Sequence, residues 1–211
     1  MPIDAYFEDF KTIFPEIEAY SPKQNCDSFA IDEFKRFHSI AGTMLENFKH
    51  VSTSLDERRI THILLRSLLE NYFQLLYIYD DVNPAEQEKR FNDYLNGFKI
   101  DYKTLYNEPR IQDLLQKSEL EQTPSSWTGL PKPMDLKSIL AQVRNANGER
   151  LDWLYFTYRI TSFDTHGRSL SSVFKAAFGK DCNFPYLKIG DSINLIANEY
   201  LSIFDKIKNT P

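Results

Sequence analysis

The stretch RRITHILLRSLLENYFQLLYIYDD, residues 58–81, constrains the fold more than any other part of the chain. At 100° per residue, Leu64, Leu65, Leu68, Tyr72, Leu75, Leu76 and Tyr79 cover one broad helical face. His62, Arg66, Glu70 and Gln74 follow at steps of four on the other side. A solvated face would be polar throughout, yet this one also carries Ile63, Phe73, Tyr77 and Ile78. A helix that is apolar nearly all round must be wrapped by other elements. The segment is therefore expected to be a largely buried central helix with a narrow ionisable stripe.

The rest of the chain supplies helices to surround it. AYFEDFKTIF repeats aromatics at three- and four-residue intervals, and Pro15 is expected to kink or divide that first segment. Residues 29–52 read as a long amphipathic helix with Phe34, Phe37, Ile40, Ala41, Met44, Leu45 and Phe48 on its apolar side. Ser54 or Asp56 caps the central helix, which runs from about 57 to 81, and Pro84 starts the next. A charged helix over 85–96 should stop at Gly97, followed by shorter helices over 101–106 and 108–119. EQTPSSWTGLPKP holds three prolines and is the one clear loop, with Trp127 expected to anchor it to the helices. Asp135 caps a helix to about 146, NANG ends it, and one long helix is expected over 149–178. GKDCNFPY connects to a last helix over 187–208.

No segment alternates with β-branched enrichment, and no repeat has a fixed period. The expectation is all-α: a single-domain helical bundle of about seven to nine helices spanning 1–211. The N-terminal helices of 1–54 would pack on a 55–208 core, with the loop at 121–134. Twelve tyrosines and sixteen phenylalanines imply a core rich in rings, some with a hydroxyl that needs a partner.

A net charge of −5 argues against broad, non-specific nucleic-acid binding, though not against a small basic site. Cys26 and Cys182 have no metal-ligand spacing and read as free thiols of a reducing compartment. The N-terminus lacks the pattern of a secretory signal, and no stretch of eighteen apolar residues is free of charge. A cytoplasmic protein without membrane, metal or cofactor is expected. Phosphate loops, serine-hydrolase elbows and zinc-helix motifs are absent from the sequence.

Two helices could carry chemistry. Arg66 and Glu70 could form a surface pair, a buried structural pair or part of a site. As a surface pair they are in the weaker order, with arginine first. In the helix over 149–178, Arg159 and His166 are seven residues apart, within about 20° of one face and roughly 10 Å apart along the axis. Ser162 falls between them, Tyr155 lies one turn before, and Phe156, Ile160 and Phe163 lie to one side. Gly167 follows the histidine, where a missing side chain would admit a ligand or a neighbouring helix. Imidazole titrates near neutrality and can exchange a proton with a ribose hydroxyl, while guanidinium can stabilise charge on phosphate oxygens. A lone helical histidine is more often a packing residue, so both readings stand.

RSLLENYFQLLYI, SWTGLP and YFTYRITSFDTHG occur in an order that resembles a bacterial family of helical proteins. Its members carry an Arg-x-x-x-Glu helix, a Trp-containing loop and a Tyr-Arg-x-x-Ser-x-x-x-His-Gly helix. The resemblance spans about residues 55–175. More distantly, Arg159 and His166 with six residues between them are similar to the Arg-x(4–6)-His signature of HEPN domains. A polar residue commonly follows that arginine; here it is Ile160. HEPN domains are helical, often dimeric, and many are metal-independent ribonucleases of toxin–antitoxin, CRISPR-linked or phage-defence systems. The resemblance implies His166 as general acid/base and Arg159 as phosphate stabiliser, with RNA, an antitoxin or other protein, and a second copy of the chain in a homodimer as partners. Arg66, Glu70, Asn71, Ser162, Tyr158 and Asp164 are then candidates for binding substrate or supporting the histidine. The competing expectation is a non-catalytic binding or scaffold protein in which the same groups form a buried structural network.

Overall fold

The computed structural model describes residues 5–48, 54–80, 83–109, 120–167, 169–182 and 189–209. They form α1 (Ala5–Ala19), α2 (Asn25–Asn47), α3 (Leu55–Tyr79), α4 (Pro84–Tyr106), a 3-10 turn (Ser125–Trp127), α5 (Leu136–Gln142), α6 (Leu154–Thr165), α7 (Leu170–Phe178) and α8 (Ile189–Asn209). Among the described residues there is no β-strand, only an isolated bridge between Arg144 and Arg150. The all-α bundle expected from periodicity is the architecture found. No helix among the described residues is long and apolar enough to cross a membrane.

Helix α3 is central. It packs against α2, α4, α5, α6 and α8, and α1 closes on α2 and α8. One continuous core gathers Phe10, Phe34, Phe37, Leu69, Tyr72 and Phe204 with their neighbours. Rings meet edge to face or tilted, as at Phe10–Phe37 (5.2 Å between centroids) and Phe34–Tyr200 (4.8 Å). Tyr79 gives its hydroxyl proton to buried Asp27 at 2.7 Å, whereas the Tyr72 hydroxyl has no hydrogen-bond partner among the described residues. Both cysteines are free thiols, Cys26 in the core and Cys182 half-buried.

Local chemistry sets the helix starts. Ser54 Oγ accepts the Glu57 N–H, Asn83 Oδ1 that of Glu86 ahead of Pro84, and Asp135 Oδ1 that of Ser138. Trp127 is half-buried and meets Tyr102 of α4 edge-on at 6.2 Å, so it does anchor its loop.

Several boundaries differ from expectation. Pro15 does not divide α1, because Phe10 before it and Ile17 after it are buried in the same core. Helix α2 begins at Asn25 and ends at Asn47, earlier at both ends than 29–52. Helix α4 runs straight through Gly97. That glycine is no cap: a Cβ there would stand 3.1 Å from Pro133 Cγ, so it permits the proline loop to approach. The segment expected over 108–119 falls largely outside the described residues. Helix α5 stops at Gln142, where Asn145 takes over: its Oδ1 accepts the N–H groups of Asn147 and Glu149 in a tight turn.

The long helix over 149–178 is broken. Helix α6 ends at Thr165, and α7 starts at Leu170 after two left-handed positions, Gly167 (φ 70°) and Ser169 (φ 38°). Asp164 Oδ1 accepts the Leu170 N–H at 2.9 Å, satisfying a donor exposed by the break.

Candidate functional site

The ionisable stripe of α3 faces α6. Phe73 meets Tyr158, Arg66 meets Ser162 and His62 meets Asp164, so the two helices run antiparallel along this seam. The Arg66 guanidinium lies over the Tyr158 ring with its Cζ 3.4 Å from the centroid. Its Nε donates to Ser162 Oγ at 2.9 Å and one terminal nitrogen to Glu70 at 2.9 Å. Only the Glu70 end reaches solvent, with 53% of its side chain exposed against 10% for Arg66. Ser162 donates its own proton to the Tyr158 carbonyl at 2.7 Å, so the hydroxyl is engaged as donor and acceptor. Burial raises the Tyr158 phenol above its ordinary value, aided by the Glu70 charge and opposed by Arg66.

One turn before Arg66, His62 Nδ1 is 2.7 Å from Asp164 Oδ2, and both side chains are almost fully buried. Burial alone would raise the Asp164 carboxyl. Hydrogen bonds from His62 and the Leu170 N–H, with the charges of His62 and Arg58, more than offset it and hold the group below 3.8. An ionised carboxylate only accepts, so Nδ1 carries the proton in this contact. Arg58 reaches Ser171, and Arg59 donates to Ser169 at 2.8 Å, tying the start of α3 to the start of α7.

The two residues at the centre of the sequence expectation lie elsewhere on α6. Arg159 is exposed, near the Tyr155 hydroxyl at 3.5 Å. His166 is exposed too, but it is the residue that ends α6, not a position inside a continuing helix. Both border a depression of ≈ 190 Å³ whose wall is completed by Ser162 and Phe163. Gly167 has open space where a Cβ would stand, so it admits no neighbouring helix; its φ of +70° is what calls for glycine. Ile160 is buried while Phe156 and Phe163 are exposed, which leaves Phe156, Phe163 and Trp153 as apolar neighbours of Arg159 on the outer face.

The structure thus joins Arg66, Glu70, Tyr158 and Ser162 directly, and Asp164 through His62. Asn71 lies apart: five residues beyond Arg66, it is turned about 140° round α3, on the side of Ser67, which Arg36 of α2 holds at 2.8 Å. His62 is the participant that sequence reasoning passed over. Its signal was its place four residues before Arg66 on the stripe, but the partner is 102 residues away.

Compared with protein-family models, curated proteins and solved structures, the chain matches none.

Proposed function

We propose that the chain binds and cleaves RNA at the depression bordered by Arg159 and His166. The observation that supports this reading is their shared wall: a guanidinium and an imidazole, both open to solvent, flank one concavity with a hydroxyl between them. Such a pair can hold a phosphodiester and move the 2′-hydroxyl proton. The His166 imidazole would take that proton as the 2′-oxygen attacks phosphorus to form a 2′,3′-cyclic phosphate, then return it to the departing 5′-oxygen, while Arg159 faces the phosphate oxygens. Arg66 acts indirectly: stacked on Tyr158 and bonded to Ser162, it fixes the floor on which the pair stands. In this reading the buried His62–Asp164 pair keeps α6 in place and never meets substrate.

The test is incubation with end-labelled single-stranded RNA in the presence of a chelator. His166→Ala and Arg159→Ala should abolish cleavage while circular dichroism and the unfolding midpoint stay unchanged. Undiminished cleavage by His166→Ala, or no RNA retained by the unmodified chain, overturns the reading.

A second reading is favoured by the burial of Arg66, His62 and Asp164 together with exposed Trp153 and Phe156. There the network is purely structural, and the aromatic outer face of α6 meets a protein partner. It predicts loss of stability in the network variants and no RNA retention.

A further inference from the structure

A second concavity lies between the end of α3, the turn at Asn145 and α8. Its volume is ≈ 470 Å³, and Leu76, Asp80, Arg144, Glu199, Ile203 and Lys206 are among its walls. This is the size of a small-molecule site, and none of these residues borders the depression on α6.

Its two acids and two bases are unevenly partnered. Glu199 is 3% exposed, and both carboxylate oxygens lie 3.0 Å from a single N–H, that of Ala146. Among the described residues it makes no direct ion pair, and the Lys206 charge acts on it only from further off. Burial is the main influence on this carboxyl and pushes it upward. Asp80, by contrast, has Arg90 at 3.8 Å. A buried carboxylate without a counter-ion is costly, and either a proton or a cation relieves it. At the open side Arg144 is exposed, and Lys206 donates to the Tyr79 carbonyl at 3.1 Å. Leu76 and Ile203 supply apolar wall. The turn that carries Arg144 is held in place: Asn145 Oδ1 accepts two N–H groups, and the Gly148 N–H returns to the Asn145 carbonyl at 2.8 Å. The site is therefore largely formed before any ligand arrives.

We propose that this cavity binds a small zwitterion of the α-amino-acid class, its ammonium on Glu199 and its carboxylate on Arg144 and Lys206. An ammonium brings a direct positive contact and three donors to Glu199, and the planar guanidinium of Arg144 matches a carboxylate. A simple cation would meet Arg144 and Lys206, and a simple anion would meet the buried acid. A ligand carrying both charges meets the buried acid and the basic groups together, with its apolar part against Leu76 and Ile203.

Titration calorimetry of the full chain with L-leucine tests this, beside 4-methylpentanoate and 3-methylbutylamine, which each lack one charge. L-Leucine should bind, and each analogue should bind at least about tenfold more weakly. Glu199→Gln keeps an oxygen for the Ala146 N–H, so the turn and the unfolding midpoint of the free protein should persist while affinity for L-leucine falls about tenfold. Arg144→Ala, at an exposed position, should do the same. The proposal is overturned if L-leucine at millimolar concentration gives neither heat nor a midpoint shift. Equal binding of the amine or the acid overturns it as well, as do variants that bind like the unmodified chain.

Discussion

His62 Nδ1 and Asp164 Oδ2 stand 2.7 Å apart inside the α3–α6 seam, joining positions 102 residues apart. Asp164 uses its other oxygen on the Leu170 N–H, so one carboxylate holds both the seam and the start of α7. Leaving a buried hydrogen-bonding group without its partner typically costs about 1–3 kcal/mol, more where the group is charged. Asp164→Ala should reach that range in urea denaturation, because it orphans a backbone N–H as well as the imidazole. His62→Ala should cost less than Asp164→Ala. If the two variants lose equal stability and their effects simply add, the residues are not coupled.

The same carboxylate fixes an acid dependence. Its folded value lies below 3.8, so its contribution is complete above that pH and is lost as pH falls through the lower folded value. Asp164→Asn should therefore flatten the acid limb of the stability curve below pH 3.8 and leave its slope above that pH unchanged. An unaltered acid limb would show that Asp164 is not the titrating group.

How much of this was legible in the sequence follows from what is local. The central position of α3 could be read from Leu65 and Leu68 on one face and Phe73 on the other. The caps Ser54 and Asp135 act within three residues, so local sequence points to them, with Ser54 sharing its signal with Asp56. It does not point to the partner of His62, since nothing near His62 specifies Asp164; only the antiparallel packing of α6 does. Glycines misled in both directions. Gly97 sits inside a helix because Pro133 must approach it, and Gly167 ends one because the chain turns left-handed there. The seven-residue spacing of Arg159 and His166 places them on one helical face. They do border one depression, but His166 reaches it from beyond the last turn.

Arg66 should resist replacement even by lysine. Its guanidinium stacks on Tyr158 while Nε and a terminal nitrogen serve Ser162 and Glu70, a combination that needs a planar group. Arg66→Lys keeps the charge but loses the stack and the Nε bond. About 2 kcal/mol of stability should disappear in chemical denaturation, against less than half of that for Glu70→Gln at the solvent end. Equal losses from the two variants would mean that only charge matters here.

Tyr72 makes the opposite prediction. Its hydroxyl is fully buried without a partner, and the nearby Glu199 charge adds to the effect of burial in pushing the phenol well above 10.0. An unsatisfied buried polar group costs about 1–3 kcal/mol. Tyr72→Phe keeps the ring packing with Phe73 and Tyr200 and removes only the hydroxyl. The variant should be more stable by about 1 kcal/mol, read as a higher urea midpoint at an unchanged slope. A loss of stability would mean that the hydroxyl is satisfied in solution by a bound water.

The break after α6 can be tested at Gly167. Nothing lies within 4 Å of a Cβ added there, so packing does not oppose alanine. The backbone does, since φ is +70° and an L side chain in that region costs roughly 1–2 kcal/mol. Were the helix continuous through residue 167, alanine would instead stabilise it by about 1 kcal/mol, and the sign of the change decides between the two geometries. Gly167→Ala should destabilise, and Gly167→Asn should destabilise less, because asparagine tolerates the left-handed region. The adjoining Ser169, at φ 38°, carries the same strain, but its hydroxyl also accepts from Arg59. Ser169→Gly relieves the strain and loses that bond, so its net change should be smaller than that of Gly167→Ala. A stabilising Gly167→Ala would rejoin α6 to α7, carry His166 back inside a helix and dissolve the depression it shares with Arg159.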